Sequence, residues 1–426
     1  MDNPRKLNSL KFAVAPALLL LGVFVFFIVS SSVRDSPIVS RHDSEEGGLV
    51  APSAASSGAL REQATAESAS SNLVTSRILR ASNSRQRNNL GQLLPLSVFS
   101  LRAKEVEVWL QADLGAEIFL TTPDGRKIAA RVTKSWEKDG RLNRVAKLPE
   151  GGSVGMVWTA DGVSALVQIP AINLAYRIAQ SAPGQDAVVQ EWLLSDVVCS
   201  TTADGRAAVP GEPVDAGLPL PEGHDAVNAA SPAQAAVPVP VLQSRPGAPA
   251  VIYIDFDGET LTDPLWAAGE TIVAPPARLN EIQIREVWER VAKEFVVFNV
   301  NVTTSLDDYD AAPPDRRTQC VVSSVAAQVR PGTGGVAYVN SFKLAATMPG
   351  NYSPICWAFI DTNPKYCADV VAHEVGHTLG LSHDGRAAVE GAASEAYYRG
   401  HGVGVTGWAP IMGVGYYKNL VQWSKG

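Results

Sequence analysis

The segment HEVGHTLGLSHD places three of the chain's six histidines, His373, His377 and His383, within eleven residues. His373 and His377 are four apart, so on a helix both imidazoles leave the same face and can meet at one point. Val370, Val371, Val375 and Leu379 make that helix an element packed on both sides. Gly380 can take positive φ, which ends the helix and turns the chain so that His383 returns toward the other two. Three neutral imidazoles with a fourth position left open are the donor set of one catalytic zinc ion. Glu374, next to the first histidine, is a carboxylate able to take a proton from water activated at such a centre.

The remainder of the chain says where such a centre would sit. A net charge of -7 with no basic stripe argues against nucleic acid as a partner. Residues 1–33 carry Arg5, Lys6 and Lys11 ahead of the apolar run FAVAPALLLLGVFVFFIV, which reads as a signal peptide or an N-terminal membrane anchor. Small residues after the run favour cleavage near Ser31. The expected location is therefore secreted or extracytoplasmic, the alternative being an anchored chain with its remainder outside and no other membrane contact. The four cysteines, Cys199, Cys320, Cys356 and Cys367, would then stand where disulfides persist. Three complete pairings are open, and one joins Cys356 to Cys367.

Composition divides the chain. Residues 34–93 are polar and of low complexity. Residues 94–200 show short alternating runs and turn signals, including EVEVWLQ, TPDGRK and the Asp161-Gly162 pair, and are expected to form a β-rich domain. Within it, Val106, Val108 and Leu110 are expected on one face of a strand. Residues 201–248 are a Pro/Ala-rich linker open to proteolytic nicking. From residue 249 to 426 the strands VIYIDF, VNVTT, QCVVSSV, GVAYVNSF and CWAFI accompany a helix over LNEIQIREVWERVAKEF and the histidine helix. Strands mixed with two long helices predict one α/β (α+β) domain with a mixed twisted sheet.

HEVGHTLGLSHD resembles the signature of the metzincin zinc metalloendopeptidases, in particular the reprolysin-like enzymes that bacteria secrete as zymogens. The resemblance implies hydrolysis of peptide bonds in protein or peptide substrates. It implies His373, His377 and His383 as zinc ligands and Glu374 as general base. In WAPIMGVGYY, Met412 is similar to the methionine of the turn beneath the metal, although Val414 stands where some members carry a tyrosine and tyrosines appear only at Tyr416 and Tyr417. The family's substrate-pairing strand corresponds to Gly335, Val336, Ala337 and Tyr338, which fit an ordinary core strand almost as well. Metzincins usually follow the methionine turn with a helix, for which KNLVQWSKG is short, so a C-terminally incomplete domain is one expectation. Some members are zymogens in which a propeptide cysteine fills the open zinc position. Cys199, at the end of the β-rich domain, is the candidate here, with that domain as an intramolecular inhibitor, and a disulfide is the competing reading. A non-catalytic zinc-containing binding or adhesion protein is the alternative function, and Glu374 is the residue that such a protein commonly lacks.

YIDFDGETLTD is similar to the aspartate motif of haloacid dehalogenase-type phosphatases, but Glu259 displaces Thr260 by one position. That phosphatase is a remote alternative. Asp255 and Asp257 otherwise end the first strand of the α/β domain or bind calcium.

Overall fold

Residues able to take positive φ punctuate the N-terminal half and turn it into hairpins. Asp139 and Gly140, at φ of 51° and 72°, form the two-residue type of turn whose twist matches flanking antiparallel strands. The computed structural model describes residues 86–88, 93–202, 237–345, 354–387, 395 and 397–424. All of them fall within the unit Gln63–Gly426. The apolar run of residues 1–33, most of the 34–93 segment and the linker residues 203–236 lie outside the described residues. Among the described residues no helix is long and apolar enough to cross a membrane.

Eight antiparallel strands form the first sheet: β1 (Ser97–Leu101), β2 (Glu117–Thr121), β3 (Lys127–Lys138), β4 (Arg141–Lys147), β5 (Ser153–Thr159), β6 (Gly162–Ile169), β7 (Leu174–Gln180) and β8 (Ala187–Leu193). Their order is β1-β8-β7-β6-β5-β4-β3-β2. The expected strand at EVEVWLQ is instead helix α1 (Ala103–Gln111). Val106 and Trp109, three apart, are buried against the sheet, whereas Val108 and Leu110 are exposed. The glutamates, leucine and glutamine of this segment favour a helix, and Glu105 accepts from the Arg102 backbone N–H at its start. The apparent period of two came from valines that a helix separates onto different faces.

The second sheet holds β9 (Val198–Thr202), β10 (Ala250–Asp255), β13 (Val300–Thr303), β14 (Arg317–Val322), β15 (Thr333–Tyr338) and β16 (Ile355–Ala358), in the order β13-β10-β14-β16-β15-β9. Strands β10, β13, β14 and β16 are mutually parallel, and β15 is antiparallel to β16. Small pairs are made by β11 (Glu259–Leu261) with β12 (Ile272–Ala274) and by β17 (Trp408–Pro410) with β18 (Leu420–Gln422). The helices are α2 (Glu281–Glu294), α3 (Leu306–Ala311), α4 (Ala326–Val329), α5 (Ser341–Ala345) and α6 (Pro364–Thr378). Mixed α/β architecture with few helices is therefore as expected.

Alternation assigns the two faces of this sheet. Ile252, Ile254, Cys320, Val322, Ala337, Cys356 and Ala358 pack with α2 and α6. Val321, Val336, Tyr338, Ile355 and Trp357 point the other way and share a core with Leu166, Ala175, Leu194 and Val197 of the N-terminal domain. Both faces are covered, which is why these strands read as continuous apolar runs. Polar contacts pin the same junction. Arg177 donates to the Val339 carbonyl at 2.7 Å, and Gln168 donates to the Tyr338 hydroxyl at 3.2 Å.

Three expectations need correction. The boundary placed after residue 200 cuts through β9, which belongs to the second sheet. Residues 242–244, assigned to the linker, are hydrogen-bonded to the β13 region, because Thr304 N–H donates to the Leu242 carbonyl and Ser244 N–H to that of Val302. The four cysteines are all free and buried, so neither the Cys356–Cys367 bridge nor a Cys199–Cys320 bridge is formed. Cys320, Cys356 and Cys367 instead fill one core as small apolar side chains.

Asp255 ends β10 and is 2% exposed. It accepts from Gln319 Nε2 at 2.8 Å and from the backbone N–H groups of Asp257 and Gly258, while Gln319 also donates to Glu259. Burial, reinforced by Asp257 and opposed by Gln319, pushes its pKa up from 3.8 to about 8. The folded protein thus binds this proton more tightly than the unfolded chain. Its contribution to stability is present in full below about pH 4 and is lost as pH rises toward about 8. The Asp255→Asn protein should therefore show a flatter dependence of Tm on pH between about 4 and 8 than the parent; an unchanged slope would assign the dependence elsewhere.

Candidate active site

Helix α6 starts where Asn363 accepts from the Tyr366 N–H and Pro364 occupies the first helical position. Its residues from Cys367 to Thr378 are all buried, packed between α2 and the sheet. At the other end Gly380 takes φ of 98°, and the N–H groups of Gly380 and Leu381 bond the carbonyls of His377 and Gly376. This left-handed cap reverses the chain as expected and leaves Leu379 exposed at the corner.

The reversal brings the three imidazoles together. His377 Nε2 lies 3.0 Å from His373 Nε2 and 3.0 Å from His383 Nε2. The opposite nitrogens of two rings are held by main-chain carbonyls, His373 Nδ1 by Ile411 at 2.8 Å and His377 Nδ1 by Leu381 at 2.7 Å. Each carbonyl accepts a hydrogen bond from Nδ1–H, so the Nε2 lone pairs of these two rings face one another. Such lone pairs repel unless a cation lies among them. Tetrahedral zinc with bonds of about 2.0 Å separates its nitrogens by roughly 3.3 Å, close to the spacing here. Burial keeps the rings neutral, the state that binds metal: His373 is pushed down to about 4, and burial with the neighbouring histidines holds His377 and His383 well below the usual range. The residues present fit a divalent cation.

Glu374 is fully buried beside this cluster. Its carboxylate lies against Gly335 of β15, where a Cβ would stand 2.6 Å from Oε1. Gly335 and Ala337 face α6, whereas Val336 and Tyr338 face the N-terminal domain. Met412 packs against α6, its sulfur 2.6 Å from the place a Cβ on Gly376 would take. The turn carrying it is closed by Gly413 N–H to the Pro410 carbonyl and is tied to the loop after His383 by Asp384 N–H to the Met412 carbonyl. The segment after it packs on α2, with the Trp423 ring 5.1 Å from Phe295 and its Nε1 donating to the Glu294 carbonyl.

Strand β9 closes the remaining side. It lies antiparallel on the outer edge of β15, with Cys199 directly opposite Ala337. Opposite residues share a face, so the thiol points toward α6. Cys199 Sγ is 2.7 Å from His383 Nε2, and the ligating atoms of Cys199, His373, His377 and His383 all lie within 4.8 Å of one another. Burial, with Glu374 adding, raises the thiol pKa well above its usual value, and Tyr397 opposes this. A divalent cation in the cluster would favour the thiolate instead.

Two tyrosines stand at the site: Tyr397, which the sequence does not single out, and Tyr416, noted in the sequence only as lying away from position 414. Tyr397 packs its ring 3.9 Å from that of His383. The Tyr416 hydroxyl lies 2.9 Å from the position of a Cβ on Gly334. Neither has a fixed offset from the histidines that sequence alone would single out.

Residues 292–384 match the family model described as metallo-peptidase family M12B, reprolysin-like, which spans less than half of the chain. The matched stretch contains α6, the three histidines and Glu374, and it supports a metallopeptidase relationship. Among solved structures, metalloproteinase-II from Bacteroides fragilis is 10% identical, with 76% of this chain and 92% of that chain covered at a TM-score of 0.21. That likeness carries no argument. No curated protein matches the sequence.

Alanine at a glycine in a strand ordinarily stabilises by about 0.5–1 kcal/mol. At Gly335 the new methyl would meet Glu374 Oε1 at 2.6 Å and the stiff Val370 Cγ1 at 2.7 Å. Overpacking of this kind costs about 1–3 kcal/mol, so Gly335→Ala should lower Tm in thermal unfolding. A raised Tm would show that Glu374 is not pressed against this strand.

Proposed function

We propose that the chain is an exported zinc-dependent endopeptidase made in latent form, with its N-terminal domain as inhibitor. The observation that carries this reading is the convergence of Cys199 with His373, His377 and His383 beside Glu374. His373, His377 and His383 would hold the zinc and Cys199 would take the fourth position. Bound zinc supplies Lewis acidity to an attacking water and to a peptide carbonyl. Glu374 takes the proton from that water and returns it to the departing amine. Gly335, Val336, Ala337 and Tyr338 offer the main chain of β15 to an extended substrate, which would add as a strand where β9 now lies. The N-terminal domain therefore blocks the centre twice, by its thiol and by its strand.

Release requires the linker between β9 and residue 237 to be cut, so that β9 can separate from β15. The run at residues 1–33, as signal or anchor, would direct the chain across a membrane. Met412 supports the ligands from below through its contact with Gly376.

The test is zinc content together with hydrolysis of an unstructured protein such as casein by linker-cut protein. Zinc should bind in equimolar amount, and Glu374→Gln should keep it while losing about 10²–10⁴-fold in rate. Equal, zero turnover in parent and variant would refute the peptidase reading. In the uncut chain, Cys199→Ser should raise hydrolysis of a short peptide above that of the parent. No gain would leave the thiol without a role in latency.

A further inference from the structure

We infer that residues 262–271, which join β11 to β12, form an arm by which the C-terminal part of the chain holds the N-terminal domain as a separable protein partner. Cutting the linker then leaves the two parts bound, and the departure of β9 is a second step whose rate the arm sets. The effect on activity rests on the latency proposed above; the grip itself stands apart from that reading.

The arm leaves its own hairpin where the hydroxyls of Thr262 and Thr271 meet at 2.8 Å, and it reaches across to β3, β4 and β5. Lys134, Val145 and Gly155 stand directly opposite one another on those three strands, so they form one row on one face of the N-terminal sheet. Each meets the arm. Lys134 Nζ donates to the Gly269 carbonyl at 3.1 Å and pairs with Glu270 at 2.5 Å. A Cβ on Gly269 would lie 2.6 Å from Val145 Cγ2, and a Cβ on Gly155 would lie 2.4 Å from the Pro264 carbonyl oxygen. Val145 faces away from the domain's own core, to which its neighbour Ala146 belongs, yet it is fully buried. The arm is what covers it.

Two features show that the arm is shaped for this seat. Glycine inside a strand gives up stability that alanine would supply, and Gly155 has no positive φ to account for it; the approach of Pro264 does. Along the arm, Ala267, Ala268 and Gly269 take φ of 46°, 50° and 72° in succession. Alanine enters that region only at a cost, so the surrounding contacts hold it there. Just before them Trp266 is anchored in the core shared by both parts, its ring 4.6 Å from that of Tyr338, while the Tyr338 hydroxyl donates to the Leu265 carbonyl at 2.5 Å. The row of Lys134, Val145 and Gly155 continues through Leu166 into that same core. Arm and core therefore make one continuous contact from β3 to β15, and every residue in it lies outside the linker. Separation of the cut parts is a dissociation, so dilution drives it, and the contacts mainly set how slowly it occurs. Turnover of cut protein should accordingly appear after a lag.

The test follows the two parts of linker-cut protein on gel filtration at micromolar concentration and, after dilution, by native mass spectrometry. Parent parts should elute together and then separate slowly. Gly155→Ala adds a methyl whose three nearest atoms all belong to the arm, and it should speed separation roughly 10-fold or more. Lys134→Met removes the charged contact with Gly269 and Glu270, which is partly solvent-exposed, and should speed separation roughly 3- to 10-fold. Circular dichroism of each uncut variant should match the parent; if uncut Gly155→Ala does not fold, Lys134→Met decides. Separation of the parent parts as soon as the linker is cut, or separation of the folded variants at the parent's rate, would overturn the inference. If the parts separate as expected and the diluted protein still cleaves no casein, the peptidase reading fails and the arm stands.

Discussion

A mostly parallel sheet that is apolar on both faces needs two covers, and this requirement organises the molecule. Helices α2 and α6 provide one cover, through Val287, Val291, Val371 and Val375. The N-terminal domain provides the other, through Leu166, Leu194 and Val197 against Trp357 and Tyr338. Because the second cover docks on the sheet next to β15, its last strand is delivered to the free edge of β15. Docking of the domain and the pairing of β9 with β15 are consequences of one apolar interface.

The electrostatics of the centre follow from the same burial. Main-chain carbonyls orient His373 and His377, and a dry surrounding keeps the imidazoles uncharged. Glu374 is held in place by Gly335, where only a hydrogen atom leaves room for the carboxylate. The sheet edge, the helix and the turn of Met412 thus each fix a different donor or its support.

Local rules were legible where a single element carried the information. The helix that carries His373 and His377 four apart and the positive-φ turn at Gly380 took the geometry expected of them. Local rules failed in residues 103–111, where the spacing of Val106, Val108 and Leu110 suited a strand while burial chose Val106 with Trp109. They failed again for the cysteines. Parity suggested bridges, whereas Cys320, Cys356 and Cys367 are core residues and Cys199 faces the histidines.

The sequence by itself determined the histidine cluster, its neighbouring glutamate and the chemistry those side chains can do, because helical period and one glycine turn act over a dozen residues. Only the tertiary structure decided that Cys199 stands across from Ala337 and that Tyr397 leans on His383. Cys199 comes from 174 positions upstream of His373 by numbering (373 − 199), and its arrival depends on how two apolar surfaces dock. Periodicity relates residues within an element; strand register and domain docking relate residues between elements, and their energies come from burial that no local pattern encodes.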